Sequence, residues 1–544
     1  MKKEKNIVHG PEPLHPLEDG TAGQQLYNAL KKHSHLPEAL IDAHTEESIS
    51  YKELLETTCR LAESLQNYGY KQNDVISICS ENNLQFFIPV IAALYIGIIV
   101  APVNDNYTER ELINALNISK PKLIFCSKKT LPKILQVKKK LSFIKKIIIL
   151  DSDEDINGCE CLSNFISRYS DANFNISNFK PVDFDPNEQV ALILCSSGTT
   201  GLPKGVMLTH KNLSVRFAHC RDPRFGTQII PGTTVLSFLP FFHAFGFFTT
   251  LGYFMVGLRV VMMKRFEEEL FLKAIQDYKV RSILIVPPIM VFLAKSPLVD
   301  KYDLSSLKEI ACGAAPLSKE IGEAVVKRLN LPGIRQGYGL TETTLAVIIT
   351  PHNDFKPGSS GKVVPFMSAK IIDLDTGKAL GPNQIGELCF KGDMVMKGYV
   401  NNIEATKEAI DEDGWLHSGD IGYYDEDGHF YIVDRLKELI KYKGYQVAPA
   451  ELEALLLTHP SIKDAGVVGI PDEEAGELPA AFVVKQPGKN LTEKEVIDFV
   501  AEQVSSSKRL RGGVRFVDEI PKNSTGKILR KELRKLLAKK KSKL

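Results

Sequence analysis

Between Tyr51 and Pro351, short apolar runs alternate with helix-length amphipathic stretches, and this alternation restricts the fold more than any other feature. The runs read VISIC, IIVAPV, KLIFC, KKIIIL, VALILC, TTVLSFL, RVVMM and SILIV, and stretches such as Tyr51–Tyr68 carry the helical period. Apolar runs spaced by amphipathic helices indicate βαβ units, so the chain is expected to be α/β with largely parallel sheets. No internal repeat of fixed short period accompanies them. With 544 residues the chain is too long for one hydrophobic core, because cores tend to divide beyond roughly 250 to 300 residues.

The pattern changes between about Gly358 and Val433. Short strands with frequent turns, as in SAKIIDLDTGKAL, GELCFKG and GHFYIVD, predict a small antiparallel β subdomain. After Asp434-Arg435-Leu436-Lys437 a helix is expected over Pro449–His459, then strands DAGVVGI and AAFVVK, a helix from Thr492 and a basic end. This last segment is long enough to be an α+β domain of its own.

Composition excludes several classes. The apolar share of 44% and charged share of 25% are those of a soluble globular protein. Net charge is only +2, from 68 basic and 66 acidic residues, so no global field draws the chain to nucleic acid. The basic stretch from about Lys508 reads as a solvated helix face and tail. Nine cysteines are scattered without paired clusters, which fits a reducing compartment, and Cys79, Cys195 and Cys389 lie in apolar runs as inert core residues. The run Phe86–Val103 reaches membrane-span length, but Pro89, Gly97 and Pro102 divide it into a buried helix and a buried strand, so no transmembrane segment is expected. The amino-terminal residues lack the apolar core of a secretory signal. Ser542-Lys543-Leu544 matches the peroxisomal address read by an import receptor, so the protein is expected in the peroxisome, with sequons such as Asn106-Tyr-Thr unglycosylated.

Four motifs carry chemistry. Ser196-Ser197-Gly198-Thr199-Thr200-Gly201-Leu202-Pro203-Lys204-Gly205 follows the strand VALILC and offers hydroxyls, backbone N–H groups and a lysine to an anion, without the spacing of a Walker A loop. Tyr338-Gly339-Leu340-Thr341-Glu342 pairs a hydroxyl with a carboxylate suited to Mg²⁺ beside triphosphate oxygens. Trp415-Leu416-His417-Ser418-Gly419-Asp420 presents a carboxylate suited to ribose hydroxyls. Pro521-Lys522-Asn523-Ser524-Thr525-Gly526-Lys527 sets a lysine at a turn of the last segment. Each alone is compatible with ordinary turn chemistry. Together and in this order they are not.

In these motifs, and in VDRLKELIKYKGYQV, the chain resembles the adenylate-forming superfamily of acyl-CoA synthetases, plant coumarate-CoA ligases and beetle luciferases. Within it, GPEPLHPLED, SPLVDKYDLSSL, GYVNN and LRGGVRFVD look most like beetle luciferases, particularly those of click beetles. The resemblance implies an N-terminal adenylation domain over 1–434 and a C-terminal lid over 435–544, hinged near Lys437 and rotating between two half-reactions. It implies ATP, Mg²⁺ and coenzyme A as cofactors. Ser196, Ser197, Gly198, Thr199, Thr200, Gly201 and Lys204 would steady pyrophosphate, Thr341 would touch the α-phosphate and Glu342 would bind Mg²⁺. Gly313, Ala314, Ala315 and Tyr338 would flank adenine, and Asp420 and Arg435 would hold the ribose. Lys527 would bridge the attacking carboxylate and the α-phosphate, and after rotation Lys441, with Lys443, Gly444 and Gln446, would serve the second step and coenzyme A.

The acyl pocket implied by motif position comprises Arg216, His243, Phe245, Thr249, Leu345, Ala346 and Ile349, with His243 counted among the catalytic residues. Leu345 departs from the family pattern, since beetle luciferases carry serine there. Leucine neither donates nor accepts a hydrogen bond and suits an alkyl chain. The resulting expectation is a medium- or long-chain fatty acyl-CoA synthetase, a monomer and non-luminous paralogue, with a luciferase monooxygenase as the alternative.

Overall fold

The computed structural model describes residues 6–196, 203–226, 230–443, 445–523 and 526–541. It is an α/β protein built on four sheets. The first has eight strands in the order 398–399, 204–209, 190–196, 99–103, 75–79, 123–126, 146–149 and 160–161. The second has nine, in the order 362–363, 345–349, 335–340, 309–313, 282–285, 234–237, 259–262, 40–42 and 48–49. Their centres are parallel, as the alternating pattern requires. Antiparallel pairs occur toward the edges, where 204–209 folds back on 190–196 and 345–349 on 335–340.

The helices follow from local signals. Tyr51–Tyr68 begins at Ser50, whose hydroxyl accepts from the Glu53 N–H while the Glu53 carboxylate accepts from the Ser50 N–H. It ends at Gly69, whose φ of 109° few side chains tolerate. The span-length apolar run resolves into helix Phe87–Tyr95, all of it buried, and strand Ile99–Val103, parallel to Val75–Cys79. Among the described residues no helix is long and apolar enough to cross a membrane.

The largest core lies between the two big sheets. It joins Ile76, Val100, Phe125 and Leu192 of the first to Leu40, Val235, Val260 and Met262 of the second through the helices at 22–33, 51–68, 87–95 and 244–255. Each fully buried side chain of this size contributes about 1.5–3 kcal/mol. On its other face the second sheet packs Ile283 and Ile310 against Phe271, Met290 and Val325.

The expected antiparallel region is a five-stranded sheet, in the order 7–9, 367–372, 386–392, 416–424 and 430–435. Its first strand, Ile7–His9, comes from the amino-terminal region and pairs with Met367–Ile372. The fourth sheet holds strands 445–447, 440–442, 476–485 and 462–472, with 514–516 added beside 476–485, and has a core of its own around Leu452, Val467, Val483 and Val496. Ser542, Lys543 and Leu544 lie outside the described residues.

Candidate active site

A cavity of about 1090 Å³ opens where the ends of the two large sheets meet the five-stranded sheet and the C-terminal segment. Asp420 and Arg435 face each other across neighbouring strands, and the Arg435 Nε lies 3.2 Å from Asp420 Oδ1. From the second sheet, the Tyr338 hydroxyl donates to Asp420 Oδ2 at 2.7 Å. Two sheets are thereby tied at one carboxylate. Burial pushes the Asp420 carboxyl up from its ordinary value, and Arg435 and Tyr338 oppose that. Burial pushes the Tyr338 phenol well up, and Asp420 adds to it.

Lys527 reaches this cavity from the C-terminal segment. Its ammonium is lowered to about 8, chiefly by burial and then by Arg435, with Asp420 working the other way. Among the described residues its ammonium has no hydrogen-bond or ion-pair partner. A half-buried cation that no carboxylate reaches within ion-pair distance among the described residues suits an anionic ligand.

Thr341 and Glu342 sit in a single 3₁₀ turn, Thr341–Thr343, directly after strand Arg335–Leu340, and both line the cavity. Glu342 Oε1 accepts from the Tyr399 hydroxyl at 3.0 Å, and the Lys204 ammonium lies 4.8 Å from the centre of the Tyr399 ring. An oxygen donor set of carboxylate and hydroxyl fits a hard ion such as Mg²⁺. Lys204 and Ser196 are paired across a hairpin and both line the cavity, while Ser197, Gly198, Thr199, Thr200 and Gly201 lie outside the described residues. Gly313 and Ala314 line the same cavity. Ala315 lines a second one of about 1340 Å³, which also meets Asp420, Arg435 and Lys527.

The expected acyl residues Arg216, His243, Phe245, Thr249, Leu345, Ala346 and Ile349 all line the first cavity. His243 caps helix Ala244–Met255, its Nδ1 accepting from the Phe245 N–H at 3.3 Å, and burial lowers its imidazole to about 4. It is therefore neutral at pH 7. Thr344 and Leu345 have φ of 53° and 95°, an unusual conformation for β-branched and bulky residues that turns strand Leu345–Ile349 back along Arg335–Leu340. Gly339 permits the turn, because a Cβ there would run into the Leu345 carbonyl. Leu345 packs against the main core.

The resemblance named Arg216 and Thr249 of this pocket's polar wall but not Tyr253. Arg216 on helix His210–Arg221, with Thr249 and Tyr253 on helix Ala244–Met255, present buried Nε, Oγ1 and Oη atoms that have no hydrogen-bond partner among the described residues. Thr249 and Tyr253 are four residues apart on one helix face and Arg216 is on the neighbouring helix, a relation that only the packed structure reveals. Buried polar atoms of this kind call for a ligand with polar groups.

Lys437 occupies the turn after strand Phe430–Arg435. Lys441, Lys443 and Gln446 lie on the exposed hairpin at 440–447 and line neither cavity, and Gly444 lies outside the described residues. In this arrangement Lys527, with Lys204 and Lys437, lines the cavity, and Lys441 does not.

Residues 28–400 match the family described as AMP-binding enzyme, and residues 451–527 match the AMP-binding enzyme C-terminal domain. A luciferin 4-monooxygenase of Photuris pensylvanica is 63% identical over 544 residues, 100% of both chains. That of Photinus pyralis is 61% identical over 541 residues, 99% of this chain and 98% of its own. The solved structure of a natural red emitting luciferase from Phrixothrix hirtus is 59% identical with a TM-score of 0.75, covering 98% of this chain and 99% of that one. These relatives overturn the fatty acyl-CoA synthetase expectation and favour its alternative. The physical reason is that Leu345 is one apolar position in a wall that also carries Arg216, Thr249 and Tyr253.

Proposed function

The chain belongs to the AMP-binding enzymes, and from that premise we propose that it adenylates a luciferin-type heteroaryl carboxylic acid and oxidises the adenylate with O₂, emitting light. The observation that carries this reading is full-length identity above 60% to two luciferin 4-monooxygenases. ATP, Mg²⁺ and coenzyme A fit the adenylate-forming family as a whole.

In the first step a carboxylate oxygen of the acid attacks the α-phosphorus of ATP, and pyrophosphate leaves. Two anions must approach, so Lys527 stands between them and offsets the charge that moves during displacement. Asp420 accepts from the ribose hydroxyls and is itself held by Tyr338 and Arg435. Glu342, steadied by Tyr399, with Thr341 beside it, would hold Mg²⁺, which supplies neutralisation of the triphosphate. Neutral His243 and Phe245 border the acyl pocket, and Arg216, Thr249 and Tyr253 meet polar groups of the ring system.

Leu345 limits the second step, since it offers no hydrogen bond where the resemblance to beetle luciferases implies a serine. Emission from this chain is therefore expected to be dim. Mixing the protein with luciferin, ATP and Mg²⁺, with fatty acids in parallel, tests the reading by pyrophosphate and light together. Luciferin-dependent pyrophosphate release accompanied by light supports it, and pyrophosphate release with fatty acids alone contradicts it.

A further inference from the structure

Glu387, Cys389 and His417 meet on one face of the five-stranded sheet. Glu387 and Cys389 are two apart on strand Gly386–Gly392, and Cys389 pairs directly with His417 on strand Leu416–Tyr424. His417 Nδ1 lies 3.1 Å from Glu387 Oε2 and 3.6 Å from Cys389 Sγ, and one ligand atom from each of the three lies within 4.8 Å of the others. Tetrahedral zinc with bonds of 2.0–2.3 Å spaces its ligand atoms about 3.3 to 3.8 Å apart, so small rotamer shifts suffice to receive the ion.

The surroundings set the imidazole for this. Asp411 Oδ2 lies 3.4 Å from His417 Nε2, and its other oxygen accepts from the Trp415 N–H at 2.8 Å. Asp411 accepts from Nε2–H while Nδ1 faces Glu387 and Cys389; without an ion the Nδ1 proton bridges to Glu387, and a metal would displace that proton and take the lone pair, as in a metal-binding histidine. Glu387 Oε1 accepts from the Gly419 N–H at 2.9 Å, which leaves Oε2 to coordinate. His417 lines the nucleotide-sized cavity, and this gives an ion a path in. Lys370, paired with Cys389 on its other side, lays its ammonium 4.3 Å from the Trp415 ring centre.

We propose that Glu387, Cys389 and His417 bind a zinc-class divalent cation as a thiolate–imidazole–carboxylate set, with Asp411 orienting His417. Thiolate, imidazole and carboxylate together select a borderline-soft ion over Mg²⁺, so this site is chemically distinct from Glu342. The ion ties the strand carrying Cys389 to the strand carrying Asp420, three residues before that carboxylate.

Trp415 is the sole tryptophan and packs with Cys389, so its fluorescence reports the site. Zinc titrated into the full chain should change this emission saturably at micromolar concentrations and with a stoichiometry of one. Co²⁺ should give a near-ultraviolet thiolate charge-transfer band. Cys389→Ser and His417→Gln should abolish both signals, and Asp411→Asn should weaken binding about 10- to 100-fold. His417→Gln decides the matter if Cys389→Ser melts early, because His417 is half-exposed. Absence of saturable zinc binding, or binding unchanged in His417→Gln, overturns the proposal and leaves the cluster as a proton-bridged histidine–carboxylate pair.

Discussion

Lys527 carries the heaviest load of any single side chain, since its ammonium is half-buried, has no hydrogen-bond or ion-pair partner among the described residues and is lowered to about 8. A lowered lysine loses its charge as pH rises through that value, so kcat/KM for adenylation should fall above about pH 8, and Lys527→Arg should move the falling limb to higher pH. Lys527→Ala should slow pyrophosphate release about 10²- to 10³-fold at pH 7. At Leu345 the expected change has the opposite sign. Leu345→Ser restores a hydroxyl beside the Thr343–Leu345 turn, and one hydrogen bond of about 1–1.5 kcal/mol should raise light output about tenfold. Emission unchanged in this variant would remove Leu345 from the account. Residues carried by short contiguous motifs were legible in the sequence because one local element presents each, a 3₁₀ turn for Thr341 and Glu342 and a strand for Asp420. Tyr399 and Tyr253 were not, because the first is placed by an edge strand far along the chain and the second by its helix packing against Arg216.

At the scale of elements, the helix pair 210–221 and 244–255 forms a polar wall, and the turn 341–343 is held by the edge strand 398–399. Tyr253→Phe deletes a buried hydroxyl that has no partner among the described residues, so the melting temperature should hold or rise while the KM for luciferin rises about tenfold. A drop in stability with unchanged KM would mean that Tyr253 is a packing residue only. Tyr399→Phe frees Glu342 Oε1, and the Mg²⁺ concentration for half-maximal pyrophosphate release should rise about tenfold. Strand and helix positions were largely readable from periodicity, as with Tyr51–Tyr68 and the split of Phe86–Val103. The pairing of Ile7–His9 with Met367–Ile372 was not, since a three-residue strand carries too little pattern to reveal a partner 360 residues away. Likewise, spacing hid the Glu387–Cys389–His417 cluster, because cross-strand register and not sequence separation assembles it.

For the whole molecule, the C-terminal segment brings Lys527 to the cavity and leaves Lys441 on an exposed hairpin. Lys295 holds that segment through the carbonyls of Leu457, at 2.6 Å, and Ile462, at 3.1 Å. If the lid turns at Lys437 between steps, Lys441→Ala should leave pyrophosphate release within about twofold, as befits an exposed site, and cut light about a hundredfold. Adenylation followed by oxidation is the central claim, and oxygen separates the two steps. The most direct measurement mixes enzyme, luciferin, ATP and Mg²⁺ under argon and then admits air, following pyrophosphate and light. Pyrophosphate before air and a light flash on its admission, larger in Leu345→Ser, is the predicted result; pyrophosphate with no light from either protein would contradict it.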